Sequence, residues 1–287
     1  MKISFQRITT KDGLELHSLL FEPDRKTTKA LIHIHGWVGN FYENKFIDYI
    51  AKEATSKGFA FLTFNNRGAG IINDFIKRKG SRVDYLRIGG SLEEFKDCIF
   101  DIKAVVDFLS KKGYKKIALQ GHSLGCQKAA FYEYKTKDKR IQSLVLLAPV
   151  DDVAFTKKTL KTKYKKGMKI AKEMVKNGKG DNPVPKWMAF YPSLNAKMFL
   201  SVADPRSDSG RLFDYSGKLK EIKNINCSTL AVFGSKDDYQ SNPEDKLKIL
   251  KENIKNCDIK LVQNAGHGFV GFEEELAKAV GNWFKKL

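Results

Sequence analysis

Cysteine is scarce in this sequence. Cys98, Cys126, Cys227 and Cys257 are the only four in 287 residues, and their wide spacing gives neither a disulfide framework nor a zinc pattern. They read as reduced thiols in a cytoplasmic protein. Long apolar runs are missing as well. The stretch 144–150 is among the longest, far short of the roughly 18–20 residues of a membrane span, so no stable membrane insertion is expected. The first seven residues are broken by polar side chains and have no apolar h-region, so a secretory signal is not expected either. Acids are outnumbered, 33 against 52 basic residues, for a formal charge of +19. What is present is a chain with 42% hydrophobic and 11% aromatic residues. That excludes a disordered tail and supplies a sizeable core for one or two domains.

Strand and helix patterns alternate along most of the chain. Residues 3–9 and 14–21 read as strands around an Asp12-Gly13 turn. Further strands are expected at 30–35, 59–64, 117–120, 141–147, 229–233 and 259–262. Helices are expected at 41–56, 95–109, 124–134, 243–256 and 272–284, the second opened by a Ser91/Glu94 capping box and closed by Gly113. This alternation indicates a mostly parallel sheet flanked by helices, an α/β fold with an antiparallel edge. The alternation stops between Val150 and Ile225, which reads as an insertion after a central strand. The stretch 71–90 reads as a long connection, of the length often used for function, with a solvated basic surface.

The residues that could do chemistry fall after strands. Gly121-His122-Ser123-Leu124-Gly125 sits between a strand and a helix, a turn that would raise Ser123 above the carboxyl edge of the sheet. A serine hydroxyl needs a base. Of the five histidines, His267 lies on a loop between the last strand and the last helix, at the same edge, and is the preferred base. His122 adjoins Ser123, and on so tight a turn its side chain is expected to diverge. A carboxylate must orient the base. Asp237, after the strand ending near Phe233, is the choice, with Asp238 its near rival and Asp151 or Asp152 more distant ones. Acyl transfer also needs two oxyanion donors. The backbone N–H of Leu124 follows the nucleophile, and that of Trp37, after His35-Gly36, would supply the second.

With these residues in place, the chain resembles the α/β-hydrolase superfamily of serine esterases, with Ser123, Asp237 and His267 in that superfamily's chain order. The turn Asn65-Asn66-Arg67-Gly68-Ala69-Gly70 is similar to the D-x-R-G-x-G turn of the family, with Asn65 where Asp is usual. The resemblance implies a hydrolase core in 1–150 and 226–287, and a helical cap or lid in 151–225. It implies a serine hydrolase that cleaves carboxylic esters of small to medium acyl groups through an acyl-enzyme, with no metal and no organic cofactor. The same residues would serve an acyltransferase or a thioesterase, and a non-catalytic ligand-binding protein on this fold is the reading from a different class. The expected partner is a small-molecule ester or thioester; no oligomeric state follows from the sequence.

The insertion carries two signals of its own. Between Lys157 and Lys179 there are ten lysines against one acid, Glu173, with Leu160, Tyr164, Met168, Ala171 and Val175 at helical spacing. This reads as an amphipathic cap helix with its lysines in water. Attraction of anionic substrates and membrane-surface binding are the alternatives. Nucleic acid is not expected, since Tyr164 alone is interleaved with the lysines and no recognition motif is present. Downstream, Trp187, Phe190 and Tyr191, with Phe199, would either wall an acyl pocket or form the core of the cap.

Overall fold

The structure, a computed structural model, describes residues 1–284. The chain opens with a hairpin, β1 (Lys2–Thr9) and β2 (Glu15–Glu22), then runs through β3 (Lys29–Ile34), α1 (Phe46–Ser56) and β4 (Ala60–Phe64). A second hairpin follows, β5 (Asn73–Lys79) and β6 (Arg82–Ile88). Next come α2 (Cys98–Lys111), β7 (Lys116–His122), α3 (Leu124–Thr136) and β8 (Ile141–Leu147). Helices α4 (Asp152–Leu160), α5 (Tyr164–Lys176) and α6 (Ala196–Ala203) interrupt the alternation. The chain then returns with β9 (Ser228–Gly234), α7 (Pro243–Asn253), β10 (Cys257–Val262) and α8 (Glu273–Phe284).

Eight strands form one sheet in the order β1-β2-β4-β3-β7-β8-β9-β10. From β4 to β10 every pairing is parallel, and β2 alone runs against the rest, since β1, antiparallel to β2, shares the direction of β4. Parallel strands need helices on both faces, and β3, β4 and β7 are accordingly almost wholly buried. Helix α1 packs with α8, and α2 packs with α3. Phe46, Phe61, Phe64, Phe233 and Phe269 are fully buried, each contributing about 1.5–3 kcal/mol of apolar transfer. Because the strands share a direction, the segments after β3, β7, β8, β9 and β10 all emerge at one edge. Among the described residues no helix is long and apolar enough to cross a membrane.

Several sequence expectations need correction. Residues 41–45 are not helical, and α1 begins at Phe46. The side chain of Asn40 accepts the N–H of Tyr42, and Asn65 accepts that of Phe41, so local side-chain bonds displace helical ones. The stretch 71–90 is not a loop but the β5–β6 hairpin, turning at Gly80-Ser81. Its arginines are paired: Arg78 with Glu15, Arg87 with Asp74 and Arg82 with Asp84. The Ser91/Glu94 capping box does not form. Ser91 Oγ donates to the Pro192 carbonyl, Glu94 pairs with Lys96 and Lys197, and a 3-10 turn at Phe95–Asp97 leads into α2. The lysine-rich segment is two helices rather than one, broken at Lys161, whose φ is 50°. On α5, Met168 and Ala171 are buried as expected, but Val175 is exposed and the half-buried Met174 continues the stripe.

Candidate functional site

The turn from β7 into α3 is held by close backbone approach. A Cβ on Gly125 would lie 2.1 Å from the Ile34 carbonyl oxygen on β3, so any side chain there would force the strand and helix apart. Ser123 sits at φ 53°, ψ −128°, a strained backbone of the kind that costs of order 1–3 kcal/mol and persists only when its surroundings impose it. The imposing bonds are visible: Ser123 donates its N–H to the Leu147 carbonyl (3.0 Å), and its own carbonyl accepts the N–H of Cys126 (2.8 Å). Leu124 opens α3, so its N–H belongs to the first turn, which lacks intrahelical acceptors.

Two loops at the same edge are knitted together next to it. Ser235 Oγ accepts the N–H of Asn264 (2.8 Å), and Lys236 donates its N–H to the Ala265 carbonyl (2.9 Å). A Cβ on Gly234 would meet that carbonyl oxygen at 2.2 Å. The knitting brings His267 to Asp237: Nδ1 lies 2.9 Å from Oδ2. A carboxylate can only accept, so Nδ1 carries the proton and Nε2 is left with its lone pair. The other oxygen, Oδ1, accepts the N–H groups of Tyr239 (2.9 Å) and Gln240 (3.2 Å). The Asp237 side chain has no exposure, whereas Asp238 points to solvent. Asp151 and Asp152, the more distant rivals, are occupied elsewhere. Asp151 Oδ1 caps α4 by accepting the Ala154 N–H, and Asp152 accepts from Gln127 Nε2 at 2.6 Å.

Ser123, His267, Trp37 and Leu124 line one cavity of about 400 Å³. Trp37 is fixed from two sides. Its indole Nε1 donates to the Gly90 carbonyl (2.7 Å), and its ring meets Tyr191 and Phe190 edge-on at 5.0 and 5.8 Å. A Cβ on Gly36 would sit 3.0 Å from the Ser123 Cβ, which sets the segment before Trp37 against the serine. His35 steadies that segment: Nδ1 donates to the Gly36 carbonyl, and Nε2 accepts the N–H of Asn66. Burial and the nearby Lys128 ammonium push His35 down to about 3, so it stays neutral. Asn65, in the place where Asp is usual, still braces the neighbourhood by accepting the Phe41 N–H.

One contributor was missed in the sequence. His122 does not diverge from the site. Its Nε2 donates to the His267 backbone carbonyl (3.0 Å), its ring lies 5.0 Å from the His267 ring, and Phe46 and Phe269 pack on it. Burial and the neighbouring His267 push His122 down to about 3, which keeps it a neutral donor. Adjacency to Ser123 is its only sequence signal, and the turn directs its side chain to the His267 backbone and not away from the site. Of the aromatic residues, Phe190 and Tyr191 line the cavity, together with Phe155, Val202 and Tyr239. Trp187 does not; it stands 37% exposed with Lys163 over its ring. Phe199 is buried behind Phe190. Asp152 also faces this cavity, and burial next to Asp151 pushes it up to about 8.

Comparison with known proteins places the chain in a family and a fold. A family described as proteins of unknown function, DUF1749, matches residues 89–278, a span that holds Ser123, Asp237 and His267. A Mycoplasma pneumoniae protein provisionally named esterase/lipase 2 is 25% identical over 252 residues, covering 86% of this chain and 85% of that protein. Est1E from Butyrivibrio proteoclasticus, solved with ferulic acid bound, superposes with a TM-score of 0.69 at 18% identity over 98% of both chains. The Pyrococcus furiosus esterase Pf2001 superposes at 0.60 and 18% identity, over 99% of this chain and 91% of that one. The shared architecture is the α/β-hydrolase fold.

Proposed function

Given that the chain belongs to the DUF1749 family of proteins of unknown function, we propose that it is a serine hydrolase of esterase/lipase type, cleaving carboxylic esters of small to medium acyl groups. One observation carries the reading: a serine on a strained strand-to-helix turn shares a cavity with a histidine whose Nδ1 is held by a buried aspartate. In the reaction, His267 Nε2 takes the Ser123 hydroxyl proton as Oγ attacks the ester carbonyl carbon. The oxyanion is received by the N–H groups of Trp37 and Leu124. The carbon–oxygen bond to the leaving group then breaks, and His267 returns the proton to the departing alcohol. Water, deprotonated by the same histidine, releases the acid from Ser123. Asp237 holds the imidazole tautomer throughout, and His122 anchors the His267 backbone.

Residues 151–225 act, in this reading, as a cap on the hydrolase core of 1–150 and 226–287. Supporting it, Phe155, Phe190, Tyr191 and Val202 all come from that segment and line the cavity of Ser123. Phe190 and Tyr191 would receive the acyl chain, while Trp187 has no part in it. The test is labelling with a fluorophosphonate, followed by peptide mapping. Labelling at Ser123, abolished in a folded Ser123→Ala variant along with ester turnover, is the expected outcome. A folded wild type that takes no label, or a variant that still hydrolyses esters, would sink the assignment and leave a ligand-binding role.

A further inference from the structure

A second cavity, of about 360 Å³, opens on the other side of an aromatic wall. The wall is Phe155 and Tyr239, stacked at 5.1 Å between ring centroids, and both rings line both cavities. The chemistry beyond the wall differs from that around Ser123. Lys157, Lys158 and Lys246 line it with Ser216 and Ser241. Among the described residues none of these three ammonium groups is in an ion pair; Lys157 lies over the Tyr164 ring and Lys246 over the Tyr215 ring. Two carboxylates share the lining, but backbone and hydroxyl donors already occupy them. Asp151 accepts the N–H groups of Ala154 (2.8 Å) and Tyr215 (3.3 Å), and Asp214 accepts the N–H (3.1 Å) and Oγ–H (2.6 Å) of Ser216. The cavity therefore offers three ammonium groups outside any ion pair, of which Lys157 is near enough to Asp151 to favour its charged form, and the Ser241 hydroxyl, a donor set suited to a phosphate.

Its position relates it to the reaction. The Tyr239 ring lies 4.4 Å from the His267 ring, and Tyr239 follows Asp237 by two residues. The base of a serine hydrolase returns its proton to the leaving group, so the leaving group departs on the His267 side. Trp37, Phe190 and Tyr191 form an aromatic cluster that lines the cavity of Ser123 but not the second one, and it joins the wall where Phe190 lies 5.9 Å from Phe155. We propose that the second cavity is a leaving-group subsite for a phosphate, and that the favoured substrates are acyl esters or thioesters whose alcohol or thiol carries one. This rests on the serine-hydrolase reading. The chemistry is unchanged: the carbonyl carbon leaves oxygen or sulfur for Ser123 Oγ, and the phosphorylated alcohol or thiol departs with the proton from His267.

The experiment compares matched pairs at low ionic strength. Butyryl-4′-phosphopantetheine and butyryl-pantetheine share a thioester and differ only in the phosphate; butyrylglycerol phosphate and butyrylglycerol do the same for an ester. For at least one pair, kcat/KM is expected to favour the phosphorylated member by roughly tenfold or more. That ratio should collapse toward one in the triple variant Lys157→Gln, Lys158→Gln, Lys246→Gln, mainly through KM. The pair that shows the preference tells a thiol from an alcohol. Turnover of p-nitrophenyl butyrate with no preference in either pair overturns the subsite and leaves the hydrolase reading standing, as does a preference that the triple variant keeps. If Ser123 takes no fluorophosphonate label, the hydrolase reading fails and the phosphate site is judged by calorimetry alone. Coenzyme A and inorganic phosphate should then bind the wild type and not the triple variant; no heat with the wild type ends the proposal.

Discussion

The carboxyl edge of the sheet and the helical segment 151–225 face each other across one cavity, yet they are built by different means. The edge is made of backbone packed against backbone: Gly125 on Ile34, Gly234 on Ala265, and main-chain bonds that knit the loops carrying Asp237 and His267. The helical segment meets the cavity through side chains, chiefly Phe155, Phe190, Tyr191 and Val202. Backbone packing leaves no room for substitution and holds reacting groups within fractions of an ångström. Side-chain packing can be trimmed or rotated at modest cost. A fixed chemistry is thereby joined to an adjustable pocket wall.

The sharpest way to test that contrast is to strike the edge. Asp237→Asn leaves the shape of the site but removes the acceptor that sets the His267 tautomer. Steady-state kinetics should show kcat falling by about 10⁴-fold, with little change in unfolding midpoint. A loss below tenfold would mean another acid orients the histidine. Next in size, Gly125→Ala places a methyl group 2.1 Å from the Ile34 oxygen. Urea unfolding should show a loss of about 3 kcal/mol, and normal stability would contradict the close approach.

The acid limb of stability is a third test of the same edge. His35 and His122 are held near 3 in the folded protein, against about 6.5 when unfolded. The unfolded chain therefore binds protons that the folded one refuses, and stability falls as pH drops from about 6.5 toward 3. Each histidine contributes on the order of 1 kcal/mol per pH unit in that window. Urea midpoints measured from pH 7 to 4 should decline more gently in His122→Gln than in wild type. Parallel declines would show that His122 is charged or exposed. The smallest effect is expected across the cavity. Phe190→Leu should change KM for longer acyl esters a few-fold, leave kcat for acetate esters nearly alone, and cost roughly 1 kcal/mol of stability. A collapse of kcat for acetate esters would show that the helical wall is as rigid as the edge.

The two regions also differed in how far the sequence exposed them. Ser123 and His267 could be found because each follows a short apolar strand, and the glycines around Ser123 announce a turn no side chain could share. Asp237 and Asp238 could not be separated that way, since neighbours on a loop differ only in direction. The Asp237 N–H bond to the Gly234 carbonyl turns one inward and leaves the other in water. The β5–β6 hairpin went unseen because its strands are mostly charged and bury little beyond Phe75 and Ile88, so no alternation stood out. Gly80-Ser81 was the available signal, a two-residue turn of hairpin type. The break at Lys161 was hidden because the apolar spacing from Leu160 to Tyr164 runs straight through it, with no glycine or proline to mark it. The contact of His122 is not legible in the sequence because its partner is a backbone carbonyl 145 residues away, and no local pattern encodes such a bond.

Lys128 on α3 and Glu93 are both without exposed surface, 2.8 Å apart, and Lys128 also donates to Asn66 Oδ1. Asn66 in turn donates its N–H to His35, beside the segment of Trp37. Such a pair adds little to the energy of the correct fold, because desolvating two charges offsets most of their attraction. Its effect falls on incorrect folds. Any assembly that seats α3 without the turn from Asn65 to Gly70, or shifts one against the other, strands a bare charge in dry surroundings at several kcal/mol. The ion pair thereby penalises arrangements in which α3 and the turn from Asn65 to Gly70, next to the segment bearing Trp37, have not come together.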